Sequence, residues 1–404
     1  MNILFVTESE ISPMMGGTEH ITQTLGASFM QQGHGCFLAF GKRCNLPLVT
    51  EFTASLPYDE VPDTREAFAR FLEEQAIDIV VSNLVQIAYK RRLLPMLYAL
   101  TRERGIGMVV CLHAMPGEEI LGNSLRSSCW RLCHGYPLAA GLKDLALGLV
   151  PTRVIRALFR KKLVARYRLL YDNADAVVLL STAFYPAFCA LGGLTPDDKF
   201  KAIPSALSYH HFADEAEICA KEKEVLIIAR MDERSKRLSA ALKIWRRLER
   251  AGRCPEWHLT LVGGGTDLEW YRRMARRMHL QRVTFAGRVE DLTPYYRRSS
   301  IFMMTSAYEG WGLTLTESQQ WGVVPMAFYS YASLPDIITD GESGLIIKNR
   351  DSVAYTESLA ALMEDRPQRE RMAAAAVEAS RRYEPETIAA RWLSLFESVI
   401  QQVR

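Results

Sequence analysis

The segment Ser306-Ala307-Tyr308-Glu309-Gly310-Trp311-Gly312-Leu313-Thr314-Leu315-Thr316-Glu317 sets two carboxylates on either side of a glycine-rich turn. A carboxylate at such a turn can accept hydrogen bonds from sugar hydroxyls, and the second can reach a ribose. The glycines let backbone N–H groups approach an anion, and a helix start there adds a favourable dipole. The pair also fits a plain helix with an acidic first turn. A second constellation is Arg230 and Lys236 in Ala229-Arg230-Met231-Asp232-Glu233-Arg234-Ser235-Lys236-Arg237. Arg offers a rigid fork for phosphate oxygens and Lys a mobile point charge. Arg234 and Arg237 read as parts of a solvated charged loop partnered by Asp232 and Glu233. Gly263-Gly264-Gly265 follows an apolar run but lacks the third glycine of a dinucleotide fingerprint, because Leu268 stands there, and no G-K-[ST] follows. Arg288 and Val289 follow Ala286-Gly287, where a strand end could border a base. In the first half, Gly16-Gly17 precedes a helix and His113 follows an apolar run. A histidine so placed is either structural or catalytic. No Asp-x-Asp pair occurs, so a divalent metal held by that device is not indicated.

These groups sit where strands end. Ile3–Val6, residues 36–40, 77–81, 108–112 and 176–180 are short apolar runs of the kind buried on both faces of a parallel sheet. The alternation restarts at 225–229 and continues through 259–262, 283–286, 301–304 and 324–327. The reading is α/β: two Rossmann-like domains facing across a cleft. The expected division is 1–207 for the first domain, 208–223 for a linker and 224–384 for the second domain. A C-terminal helix over 385–404 carries the apolar stripe Ile388, Trp392, Leu395, Phe396, Val399 and Ile400, which must pack on something, and the first domain is its expected partner.

A length of 404 residues suits two domains. Lys plus Arg is 49 and Asp plus Glu is 46, a balance that argues against a dedicated nucleic-acid binder. Eight cysteines contain no C-x-x-C pair, and Cys129, Cys133 and His134 lack a fourth metal ligand, so buried thiols in a reducing compartment are expected. No signal peptide or membrane-spanning run is read, and a cytoplasmic location is expected. Residues 151–171 hold Arg153, Arg156, Arg160, Lys161, Lys162, Arg166 and Arg168 interleaved with apolar residues. This basic amphipathic helix fits an anionic membrane surface, and equally the solvated face of a domain helix.

Together these residues resemble the glycosyltransferase family 4 (group 1) enzymes of GT-B fold, of the bacterial capsule and lipopolysaccharide type. The resemblance is strongest over 224–348. The family's E-x7-E motif matches Glu309 and Glu317, its basic pair matches Arg230 and Lys236, its glycine loop matches Gly263 to Gly265, and its D-G-x-x-G turn matches Asp340 to Gly344. Two positions depart from the pattern: Ser205 stands where the family often has Asn, and Lys236 lies six residues after Arg230 where five is commoner, which leaves Arg234 as the alternate. The resemblance implies retaining, metal-independent transfer from a nucleotide-diphosphate sugar, UDP- or GDP-linked, to a glycan or lipid-linked saccharide, with no other cofactor. It implies that Glu309 holds the donor sugar and Glu317 the ribose. Arg230 and Lys236 neutralise the diphosphate, with Gly310, Gly312, Leu313 and Thr314 around it. Arg288 and Val289 border the base beside Gly263 and Gly264, and Gly16, Gly17 and His113 close the site from the acceptor side. A UDP-sugar 2-epimerase of the same architecture and a non-catalytic nucleotide-sugar-binding protein are the competing readings.

Overall fold

In the computed structural model, residues 1–12, 16–44, 52–120, 129, 132–133 and 138–404 are described. His134 and residues 13–15 of the first loop lie outside them. The chain forms two units: residues 1–117, 159–208 and 382–404 make the first, and 118–158 with 209–381 make the second.

The first unit is built on seven parallel strands: β1 (Asn2–Ser9), β2 (Gly35–Lys42), β3 (Ala54–Pro57), β4 (Ile79–Ser82), β5 (Gly107–Leu112), β6 (Ala176–Leu179) and β7 (Phe200–Ala202). Their order is β3-β2-β1-β4-β5-β6-β7. Ile3, Leu4, Val6, Ile79 and Val80 are fully buried. Covered strands of this kind read as unbroken apolar runs, not alternating ones. The C-terminal helix Pro385–Val403 belongs to this unit. Its Phe396 ring lies 5.7 Å from Phe29, and Val399 fills the space beside Gly107, where an added Cβ would come within 2.7 Å of it.

The second unit has six parallel strands: β8 (Glu224–Ile228), β9 (His258–Val262), β10 (Val283–Gly287), β11 (Ile301–Met304), β12 (Val324–Tyr329) and β13 (Leu345–Lys348). Their order is β10-β9-β8-β11-β12-β13. The sheet direction of travel reverses between β8 and β11, and in the first unit between β1 and β4. In open α/β sheets, that switch point is where ligands enter, beyond the carboxyl ends of the strands. The loops after β8 and β11 are those of Arg230–Lys236 and Ser306–Gly312.

Of residues 208–223, expected as a linker, 209–223 belong to the second unit and pack on it. Ala213 N donates to Gln320 O at 2.9 Å, and Ile218 is buried against Gly322. The Lys221 ammonium donates to the Tyr296 and Arg297 carbonyls at 2.8 and 3.0 Å. The charged letters of this stretch hide two apolar anchors, Ala213 and Ile218, and their burial fixes it in place.

Candidate functional site

The loop after β8 is shaped by buried carboxylates. Asp232 caps the single turn Glu233–Lys236, accepting from Arg234 N at 3.0 Å and Ser235 Oγ at 2.6 Å. Glu233 points inward, accepting from Tyr271 OH at 2.9 Å and from Ser239 Oγ at 2.6 Å. Its own N–H donates to Asp267 Oδ2 at 2.8 Å. These bonds turn the chain so that Lys236 faces the neighbouring loop. Its Nζ lies 2.5 Å from Glu309 Oε1, and the two side chains are only 21% and 13% exposed. Ser306 Oγ donates to the same carboxylate oxygen at 2.6 Å. Arg234 is exposed and its backbone is tied to the Asp232 cap, so Lys236 is the residue brought to Glu309. Arg230 stands at the rim, its side chain 71% exposed and 3.6 Å from Asp232.

Arg237 is not solvated, as the sequence reading had it. Its Nε donates to Thr305 O at 2.9 Å, one terminal nitrogen donates to Asn349 Oδ1 at 3.0 Å, and the other donates to Ser306 O. Its guanidinium lies 5.7 Å from the Phe328 ring centroid. Burial, and next the nearby Arg350 charge, lower its pKa to about 10, which leaves it cationic at neutral pH. The charged string around it concealed a strut, because in sequence a half-buried, fully bonded Arg among exposed ones carries no mark.

Gly312 begins the helix Leu313–Gln320 in the left-handed region, with φ +96°, and the helix has no side-chain cap. Uncapped first N–H groups with the dipole behind them favour an anion. Glu317, four residues into this helix, is buried and accepts from Tyr296 OH at 2.7 Å. The Tyr296 phenol is pushed well up, by burial first and then by the Glu317 charge, so it remains a donor. Tyr296 was not visible as a site residue in the sequence, since 21 residues separate it from Glu317.

The glycine loop after β9 backs the Arg230 loop. A Cβ on Gly263 (φ +133°) would sit 2.0 Å from Ala229 O, and one on Gly265 would sit 2.6 Å from Met231 O. Met231 N donates to Gly264 O at 2.9 Å, and Gly263 N donates to Gly287 O at 2.7 Å. A Cβ added at Gly264 would lie 3.5 Å from the Cβ of Arg288, and Val289 follows in the loop after β10. A recess at the ends of β8 and β11 is lined by Ala229, Lys236, Leu238, Ser306 and Glu309.

Gly16, Gly17 and His113 lie in the first unit. Gly16 precedes the helix Gly17–Gln31 without a side-chain cap. His113 bonds through Nε2 to Asn83 Oδ1 at 3.0 Å, which fixes that nitrogen as the donor, and Asn83 Nδ2 donates to Thr22 Oγ1 at 2.8 Å. Burial, and then the Lys90 charge, lower the His113 pKa to about 4, so the ring is neutral at pH 7.

Residues 212–379 match the family model described as "Glycosyl transferases group 1". The matched residues lie within the second unit. Over 173 residues the chain is 27% identical to the amylovoran biosynthesis glycosyltransferase AmsD of Erwinia amylovora, covering 43% of this chain and 47% of that protein. Over 129 residues it is 32% identical to the lipopolysaccharide core biosynthesis mannosyltransferase LpsB of Rhizobium meliloti, covering 30% of this chain and 36% of that one. The matches thus span half or less of these curated relatives. Among solved structures, Anabaena HepE in complex with UDP and glucose is similar at TM-score 0.70 and 16% identity, over 98% of this chain and 100% of HepE. Sucrose-phosphate synthase from Thermosynechococcus elongatus is similar at TM-score 0.72 and 16% identity, over the full length of both. At such identity the likeness is one of fold, the GT-B class with two parallel α/β units.

Proposed function

We propose that this protein transfers a sugar, with retention of configuration, from a nucleotide-diphosphate sugar to a hydroxyl of a glycan or lipid-linked saccharide in cell-surface polysaccharide synthesis. The observation that carries this reading is the meeting of Lys236 and Glu309 at the switch point of the second unit, beside the uncapped helix start at Gly312. As the nucleotide departs, negative charge grows on the β-phosphate. Fixed cations and N–H dipoles stabilise that charge without reorganising. Lys236 and Arg230 supply the cations, so the site needs no metal for this step, and the N–H groups of Gly312 and Leu313 supply the dipoles. Glu309, with Gly310, holds the donor sugar's hydroxyls, and Glu317, steadied by Tyr296, takes the ribose. Arg288 and Val289 border the base beside Gly263 and Gly264. In the first unit, Gly16, Gly17 and neutral His113 shape the acceptor side. No covalent nucleophile is assigned. The leaving phosphate takes the acceptor's proton on the same face.

One relative is named a lipopolysaccharide core biosynthesis mannosyltransferase, and an acceptor held at a membrane would fit such a role. Among the described residues no helix is long and apolar enough to cross a membrane. The helix Thr152–Asp172 exposes Val154 and Phe159 beside exposed Arg153, Arg160, Lys161 and Lys162. This mixture suits an anionic lipid face, each basic residue near it contributing about 1 kcal/mol. Flotation with anionic vesicles should carry the wild type and leave a variant neutralised at those four basic positions behind; no flotation of either rejects the contact.

A panel of UDP- and GDP-sugars in a thermal-shift assay tests the donor reading. The UDP in the HepE structure makes UDP-sugars the first probes. A donor should raise the melting temperature with its concentration, and mixing it with a saccharide acceptor should release the nucleoside diphosphate. Epimerisation of a UDP-sugar supplied alone would favour the epimerase reading instead.

A further inference from the structure

We infer that Arg237 is a positioning residue that sets the spacing between Lys236 and Glu309, an inference that rests on the donor-site reading above. Three observations converge on it. Arg237 holds a left-handed backbone, φ +49° and ψ +41°, which an L side chain rarely adopts. Its side chain then reaches back over the next loop to donate to two successive carbonyls, Thr305 O and Ser306 O. Those carbonyls belong to the strand end from which Glu309 hangs, and Ser306 also donates its hydroxyl to Glu309.

The contact is reciprocal. Thr305 Oγ1 donates to Lys236 O at 3.0 Å and to Arg237 O at 3.2 Å, and Ala307 N donates to Ser235 O at 2.7 Å. The loops after β8 and β11 belong to adjacent strands, but β11 pairs with β8 only at Ile301 and Phe302. Beyond that point no ladder holds the two loops in register. The guanidinium fork replaces the missing ladder with bonds to consecutive peptide units. Arg suits this task because its planar donors are fixed relative to one another, whereas a lysine offers one mobile charge. A backbone in the left-handed region is tolerated at this position because the side chain it aims is bonded on every edge and lies against Phe328.

The left-handed backbone also provides a clean test, since glycine adopts that conformation freely and R237G removes the fork without opposing the turn. Steady-state kinetics with donor and acceptor would be measured for wild type, K236A, R237G, R237K and the double variant K236A/R237G, with T305V as a second way to loosen the same register. R237G should lower kcat at least tenfold while changing the donor KM less than threefold, and R237K should recover only a small part. The double variant should be no slower than K236A, because Arg237 acts through Lys236. T305V should lower kcat in the same direction by a smaller factor. A normal kcat in R237G and T305V, or losses that multiply in the double variant, overturns the inference while leaving the donor site intact. If K236A itself turns over like wild type, the donor reading has failed, and the inference falls with it.

Discussion

Both units carry a switch point on a parallel sheet, yet they equip it differently. In the second unit the loops beyond β8 and β11 meet through charge: Lys236 on Glu309, with Arg230 at the rim and a bare helix start alongside. In the first unit the groups near β4 and β5 meet through neutral hydrogen bonds, His113 to Asn83 to Thr22. The contrast shows that topology places a site and side chains decide its chemistry. One end gathers charged side chains, the other keeps its titratable ring uncharged.

The sharpest way to break this contrast is to remove the charged pair. E309A and K236A should each lower kcat by roughly 10²–10³, the usual loss when one preorganised stabilising group is deleted. Single-turnover measurements at saturating donor check this, and a loss confined to KM would move both residues out of the reacting centre.

The neutral side has a pH signature. The unfolded chain protonates His113 near 6.5, whereas the folded protein does so only near 4. Between these values the unfolded state binds more protons, so stability rises with pH across the window and is lost as pH falls through it. The total is on the order of 3 kcal/mol, at about 1.4 kcal/mol per pH unit. Chemical denaturation at pH 4 to 7 should show this slope in wild type and lack that share of it in H113Q. Parallel curves would mean that the ring is free to charge in the folded state.

Much of this arrangement was legible in the sequence. The apolar runs marked both sheets, and Glu309, Glu317, Arg230 and Lys236 stood out because they follow strand ends. What escaped was held by distance or disguise. Tyr296 reaches Glu317 from another helix. Glu233 and Asp267 look like surface acids but are buried and bonded. Arg237 lies among residues of its own kind, and residues 209–223 conceal Ala213 and Ile218. Side chains that point inward against their polarity are selected by partners far along the chain, which local pattern does not show.

Two smaller effects sharpen the second unit's side of the comparison. Y296F leaves a buried carboxylate short of one donor, a change of roughly 1–3 kcal/mol. It should appear as weaker donor binding and a lower melting temperature, and an unchanged donor affinity would detach Glu317 from the ribose. The glycine loop divides by position. G263A should disrupt the loop, because its Cβ would collide with Ala229 O at 2.0 Å. G264A meets only Arg288 at an ordinary 3.5 Å and should change stability by less than about 0.5 kcal/mol. Comparing the two melting temperatures checks this.

Calorimetric titration of wild type and K236A with UDP and with GDP tests the central claim most directly. The account predicts that one of these nucleotides binds the wild type and that K236A weakens it at least tenfold, as expected for a charge-assisted bond of ~1.5–3 kcal/mol. Equal affinity in the two proteins, or no binding of either nucleotide, would contradict it.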